Sequence, residues 1–252
     1  MKQAKRAVSA LLGCCLLLCS PALVRAKTKD YGKTAYDCTR WDNIKEDFLD
    51  AKTDRLIFVK CQEGTSAVVE MWEKIPGDSA QDPSGEGAPQ WKQIVSCKAF
   101  TGRNGLGKKR EGDKKTPVGI YRITMAFGRK KSPGTAGISY TKLNNYHYWS
   151  SEKATYNRFI DVRTLNRTSM SGEHLIRYDP EYNYALAIGY NRKCTYLKGS
   201  GIFLHCTGKN SYTAGCVAVP EKQMKKIIQH TTEHTKICIY PYGFEKLHRS
   251  QL

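Results

Sequence analysis

The feature that most limits what this chain can fold into is a succession of short apolar, β-branched runs punctuated by turn residues. "RLIFVKC" (55–61), "SAVVEMWEKI" (66–75) and "WKQIVSCKAF" (91–100) have the length and composition of strands. Runs of the same kind recur as "VGIYRIT" (118–124), "RFIDV" (158–162), "YALAIGY" (184–190), "GIFLHC" (201–206), "GCVAV" (215–219) and "KICIYPY" (236–242). "PGDSAQDPSGEGAP" (76–89) has the composition of a loop tip. The clearest helix starts at Pro220, whose fixed φ suits a first turn, and carries Met224, Ile227 and Ile228 on one face. These patterns predict a mainly β domain with a few helices and no internal repeat. "YTKLNNYHYWSSEKATYN" (140–157) shows neither period. Irregular segments of this length often act as binding loops or lids, and aromatic side chains give rigid contact surface. Tyr148 and Trp149 are therefore candidates for substrate contact, although aromatics here would equally well cap a satellite core.

The N-terminus bears on compartment. Lys2, Lys5 and Arg6 precede an apolar run from Ala7 to Val24, and Val24-Arg25-Ala26 offers small residues for cleavage. Pro21 shortens the run below what a spanning helix requires, so residues 1–26 are expected to be a cleaved export signal. The remaining expectation is a polar lead over 27–50, one domain over 51–242 and a short tail over 243–252. Taking the signal's four basic residues from the chain's 41 leaves a balance of +14 against 23 acidic residues. In an exported protein such a charge favours anionic wall polymers over nucleic acid, with membrane contact only during export. The expected location is secreted, in the cell wall or on the outer side of the cytoplasmic membrane.

Of the chain's 10 cysteines, Cys14, Cys15 and Cys19 lie in the signal. Cys38, Cys61, Cys97, Cys194, Cys206, Cys216 and Cys238 remain, an odd set that in an oxidising compartment predicts bridges plus one free thiol. Structural zinc is not indicated, because no two of them have the close C-x(2–4)-C spacing. "HTTEH", His230 to His234 with Glu233 inside it, fits an inverted zinc-peptidase pattern. Too little chain follows to supply a third ligand from a downstream helix, so both histidines are expected at a solvent-facing helix end. His147, His174 and His248 are expected to be ordinary surface or loop residues. No metal or cofactor is implied.

The stretch "GIFLHCTGKNSYTAGCVAVP" (201–220) concentrates the candidate chemistry. Strand parity puts Ile202 and Leu204 on one face and Phe203 and His205 on the other, separating His205 from Cys206. Cys216 follows Gly215, which permits unusual backbone and close approach. A thiol beside an imidazole forms a nucleophile and a proton shuttle, and backbone N–H groups of Gly215 and Cys216 could hold an oxyanion. From spacing alone, a structural histidine and a disulfide half-cystine remain open alternatives.

Two further elements narrow the choice. "TAGCVAV" after "IFLHC", with "EGDKKTPVGIYRI" (111–123) upstream, resembles the L,D-transpeptidase catalytic domain, the YkuD-like family of bacterial wall enzymes. The pieces "TGRNGLGKKREGD" (101–113), "YWSSEKATYNRFIDV" (148–162) and "EHLIRYD" (173–179) are similar to its longer Gram-positive members, and the resemblance covers about residues 54–241. It implies an L,D-transpeptidase-like β-sandwich without a cofactor, with Cys216 as nucleophile and His205 as general base and acid. The backbone carbonyl after His205 would orient the imidazole, and Thr213 would line the pocket. The implied reaction joins peptidoglycan stem peptides by 3→3 crosslinks through a Cys216 thioester. L,D-carboxypeptidase or wall-amide hydrolase activity would use the same pair, and a non-catalytic wall-binding module would leave the thiol idle. Many members carry His or Arg before the Gly-Cys and Arg or Asn two places after the Cys, where this chain has Ala214 and Ala218. Cys206 is expected in a bridge, to Cys194 or another cysteine.

Overall fold

The computed structural model describes residues 52–75 and 90–241. The expected signal (1–26), the lead (27–50), the loop tip over 76–89, the tail (243–252), Cys38 and His248 lie outside the described residues.

Strands β1 (Arg55–Cys61), β2 (Ser66–Ile75) and β3 (Gln90–Phe100) form an antiparallel meander. β4 (Gly119–Gly128), β9 (Ala185–Ile188), β10 (Phe203–Cys206), β11 (Val217–Val219) and β12 (Lys236–Pro241) complete the large sheet. Its order is β12-β1-β2-β3-β11-β10-β9-β4, with β5 (Tyr140–Lys142) beside the end of β4. Pairing of β12 with β4, Lys236 opposite Arg122 through Ile239 opposite Gly119, joins the two ends. The mainly β architecture expected from the sequence is what the structure shows, and its packed layers are one continuous, closed sheet. Closure pairs edges that would otherwise present free backbone groups.

The interior is filled by inward residues of every long strand, among them Ile57, Val59, Val69, Met71, Val95, Leu186, Leu204, Val217, Val219 and Ile237. Helix α1 (Glu221–His230) adds Met224, Ile227 and Ile228, all fully buried, to this core. Apolar side chains three and four apart make one face of a helix, so the spacing read from the sequence is the packing face observed.

A second layer covers β4, β9 and β10 from outside. β6 (His147–Ser150) pairs antiparallel with β7 (Phe159–Asp161) and with β8 (Gly172–His174). Between this small sheet and the barrel lies a second core of Phe127, Leu143, Trp149, Leu175, Tyr182, Ala185, Ala187, Phe203 and Cys216. A register shift between Ile123 and Met125 changes the parity of β4. Tyr121 and Ile123 pack with the inner core, but beyond the shift Ala126 takes the inward place and Phe127 joins the outer cluster. Such bulges re-aim side chains, and this one supplies an aromatic wall to the region around Cys216.

The segment 140–157, expected as an irregular loop or lid, is corrected: it contains β5, β6 and a 3-10 turn, Lys153–Thr155. All four residues of β6 are buried. A strand covered on both faces loses the alternation by which half-exposed strands are read.

Candidate functional site

β10 and β11 run parallel, with Leu204 opposite Val217, His205 opposite Ala218 and Cys206 opposite Val219. Paired residues share a face, so Leu204, Cys206, Val217 and Val219 enter the inner core. Phe203, His205 and Ala218 face the outer layer, and Cys216, one step before β11, joins them. The parity expected for His205 and Cys206 therefore holds. Cys216 and His205 are diagonal neighbours on adjoining strands, and the edge-to-face contacts of Tyr182 with Phe203 (5.4 Å) and with His205 (5.6 Å) bind that face together.

The loop before β11 explains why Gly and Cys are adjacent. Gly215 has φ +139°, and a Cβ there would come 2.8 Å from the Lys115 carbonyl oxygen. Only glycine takes that backbone without strain or collision. Thr213 Oγ1 donates to the Cys216 carbonyl (2.7 Å) and accepts from the Gly215 N–H (3.0 Å). Thr116 Oγ1 also donates to the Cys216 carbonyl (3.3 Å) while accepting from Gly102 N–H (2.7 Å). The Thr-Pro-x-Gly segment thus braces the Cys loop from below. Two expectations change. The Thr213 hydroxyl is occupied by its own loop rather than turned to a pocket, and the Gly215 N–H is bonded to it. Of the two amides proposed for an oxyanion, the Cys216 N–H is the one that Thr213 leaves.

The histidine is held as expected. His205 Nδ1 lies 2.7 Å from the backbone carbonyl of Cys206. A carbonyl only accepts, so Nδ1 carries the proton and Nε2 keeps its lone pair. Burial lowers the imidazole's pKa below its ordinary 6.5, against the opposing pull of that carbonyl and of Glu181. The ring is therefore neutral at pH 7 and basic at Nε2.

The thiol rests protonated. Burial, with the nearby Glu173 second, pushes Cys216 up to about 12. Its Sγ donates to the Gly201 carbonyl (3.2 Å) and accepts from the Phe203 N–H (3.3 Å). In this structure the thiol proton is directed at Gly201 rather than at the imidazole. Neutral thiol and neutral imidazole, not an ion pair, make up the ground state.

Trp149 lies in the cluster with Cys216, its ring edge-on to Phe203 at 4.8 Å and its Nε1–H donated to Asn157 (2.9 Å). Tyr148 is on the opposite face of the small sheet, stacked on His174 at 4.4 Å, so the structure does not bring it to the thiol. His147 is corrected from surface to interior: it is buried on β6, beside Asp161 (3.6 Å) and Phe159. His174 is half-buried, its Nε2 against the Asn145 carbonyl at 2.8 Å. α1 ends at His230, and Glu233 and His234 follow outside it, so the two histidines of "HTTEH" do not share a helical face. Of the two departures, Ala218 is buried opposite His205 and Ala214 is exposed.

Among the described residues, the bridges expected of Cys61, Cys97, Cys194, Cys206 and Cys216 are not found. Cys206 instead points into the barrel and donates to the Tyr184 carbonyl at 3.5 Å.

Sequence reasoning missed Glu173 and Tyr182. Tyr182 Oη donates to Glu173 Oε2 at 2.5 Å, and Glu173 is directly opposite Trp149 across β8 and β6. No spacing rule links a carboxylate in "SGEHL" to a thiol 43 residues on.

The structure is thus a closed β sheet that carries a cysteine and a histidine on one face of adjoining strands, covered by a small aromatic layer. The sequence matches the model of the YkuD family, the L,D-transpeptidase catalytic domain, over residues 88–239, and the chain belongs to that family. No curated protein matches the chain.

Proposed function

We propose that this protein is an exported peptidoglycan L,D-transpeptidase that works through a Cys216 thioester, with His205 as general base and acid. The observation that carries the reading is the fixed tautomer of His205: its Nδ1–H is spent on the Cys206 carbonyl, which leaves a basic Nε2 on the face shared with Cys216. As Sγ attacks the carbonyl between the third stem residue and the terminal D-alanine, Nε2 takes the thiol proton. The C–N bond breaks, the proton passes to the departing amine, and the acyl group remains on sulfur. An acceptor amine then gives a proton to Nε2 and attacks the thioester, restoring the thiol and closing a 3→3 crosslink. The Cys216 N–H is the backbone donor best placed for the oxyanion. A resting thiol this reluctant to ionise suits a mechanism in which proton transfer accompanies attack.

The test is incubation of the protein, beside Cys216→Ala, with disaccharide-tetrapeptide, read by mass spectrometry. A Cys216-dependent dimer is expected. Loss of one alanine without dimer would reassign the protein as an L,D-carboxypeptidase, and no product from either protein would leave a wall-binding module. Fractionation of producing cells, with the N-terminus of the mature chain sequenced, tests export and cleavage after Ala26.

A further inference from the structure

One titratable group beside the thiol has no part in that mechanism. Glu173 is on the face of the small sheet that meets the barrel, opposite Trp149. Its Oε2 accepts from Tyr182, whose ring touches both Phe203 and His205 and stacks on Tyr178 at 4.7 Å. Its Oε1 stands over Gly201, 3.3 Å from where a Cβ would be, and the Gly201 carbonyl is the acceptor of the Cys216 thiol. One carboxyl group thus supports the imidazole side of the pair through Tyr182 and overlies the backbone that holds the thiol proton.

We propose that Glu173 is a positioning residue that couples the two halves of the Cys216/His205 pair, and that its charge state governs how readily the thiol releases its proton. This rests on the reading of Cys216 as nucleophile. A negative charge near a thiol disfavours the thiolate, so protonated Glu173 is the form that permits activation. Although part of its side chain reaches the surface, the surrounding protein desolvates Glu173 and pushes it up to about 7, with Tyr182 opposing and Glu111 reinforcing. The other titratable and charged groups around it have assigned places. Glu111 accepts from Tyr156 and from Ser200 (2.8 Å). Lys108 is paired with Asp113 at 2.9 Å, and its charge works against that of Glu173 at the thiol. Tyr178 is stacked on Tyr182, Glu181 is near the imidazole, and His147 with Asp161 occupies the far end of β6.

The experiment measures the rate at which iodoacetamide alkylates Cys216, followed by peptide mass mapping from pH 5.5 to 9, in wild type, Glu173→Gln and Tyr182→Phe. Lowering a thiol pKa by about one unit gives about tenfold more thiolate and, after the loss of intrinsic nucleophilicity, about threefold faster alkylation. Glu173→Gln is expected to match wild type at the acid end and to exceed it about threefold above pH 8. Tyr182→Phe keeps the carboxyl but removes its donor, so its departure from Glu173→Gln should begin at higher pH than that of wild type. A Gln/wild-type ratio that stays flat with pH, or a slower Gln variant throughout, overturns the proposal even if both proteins are folded. Because the readout is the thiol itself, a blank crosslinking assay would sink the proposed function and leave this result standing.

Discussion

At the residue scale, the site depends on small features that fix protons. The Cys206 carbonyl chooses the tautomer of His205, and burial keeps the ring neutral below its ordinary pKa. A base with a lowered pKa is lost only when pH falls through that lowered value. Thioester formation is therefore expected to persist as pH drops past 6.5, down to the depressed folded value. Acylated protein quantified by mass at a series of pH values checks this, and a loss centred at or above 6.5 would contradict it. That Gly215 frees the backbone ahead of Cys216 could be read from the sequence. That Thr213 would consume the Gly215 amide could not, because it requires the fold of three successive residues around one hydroxyl.

At the element scale, the brace beneath Cys216 is the basic loop 101–116. Asp113 organises it, accepting from the N–H groups of Lys109 (2.7 Å), Arg110 (3.1 Å) and Lys115 (3.1 Å) as well as from Lys108 Nζ (2.9 Å). Desolvation alone would raise this carboxyl, but the four donors hold it below the usual carboxylate value. The loop meets the Cys segment through Thr116 and through Arg103 N–H donating to the Thr213 carbonyl at 2.9 Å. Asp113→Ala strands the Lys108 charge, whose side chain is 3% exposed. Breaking a buried pair in this way is expected to cost about 3 kcal/mol, visible in urea unfolding, with crosslinking falling further than stability because Thr116 loses its footing. Unchanged unfolding would mean that the loop holds itself without Asp113. Nine apolar runs read as strands from sequence are strands in the structure. β5, β6 and β8 were not legible, because YTK and GEH carry no apolar run and β6 is buried on both faces.

At the scale of the whole molecule, two cores share one sheet. The inner core uses one side of β10 and β11 for stability and takes Cys206 with it; the outer core uses the other side for Cys216 and His205. An odd set of cysteines invites a disulfide map, but among the described residues the fold places Cys61, Cys97, Cys194, Cys206 and Cys216 as separate buried or half-buried thiols. Alkylation of the denatured protein without reductant, mapped by peptide mass, is expected to modify Cys61, Cys97, Cys194, Cys206 and Cys216 alike; a resistant pair among them would reveal a bridge. The sequence by itself determined the β class, the face of α1 and the separation of His205 from Cys206, because each depends on the short-range periods of two and 3.6 residues, whereas Cys216 became the candidate nucleophile through the family resemblance. Only the tertiary structure decided that the sheet closes, that Trp149 but not Tyr148 joins the cluster around Cys216, that Cys206 turns into the inner core and that Glu173 and Tyr182 lie beside Cys216 and His205. Each of those turns on which distant segments are brought face to face, and no local period in the chain encodes that.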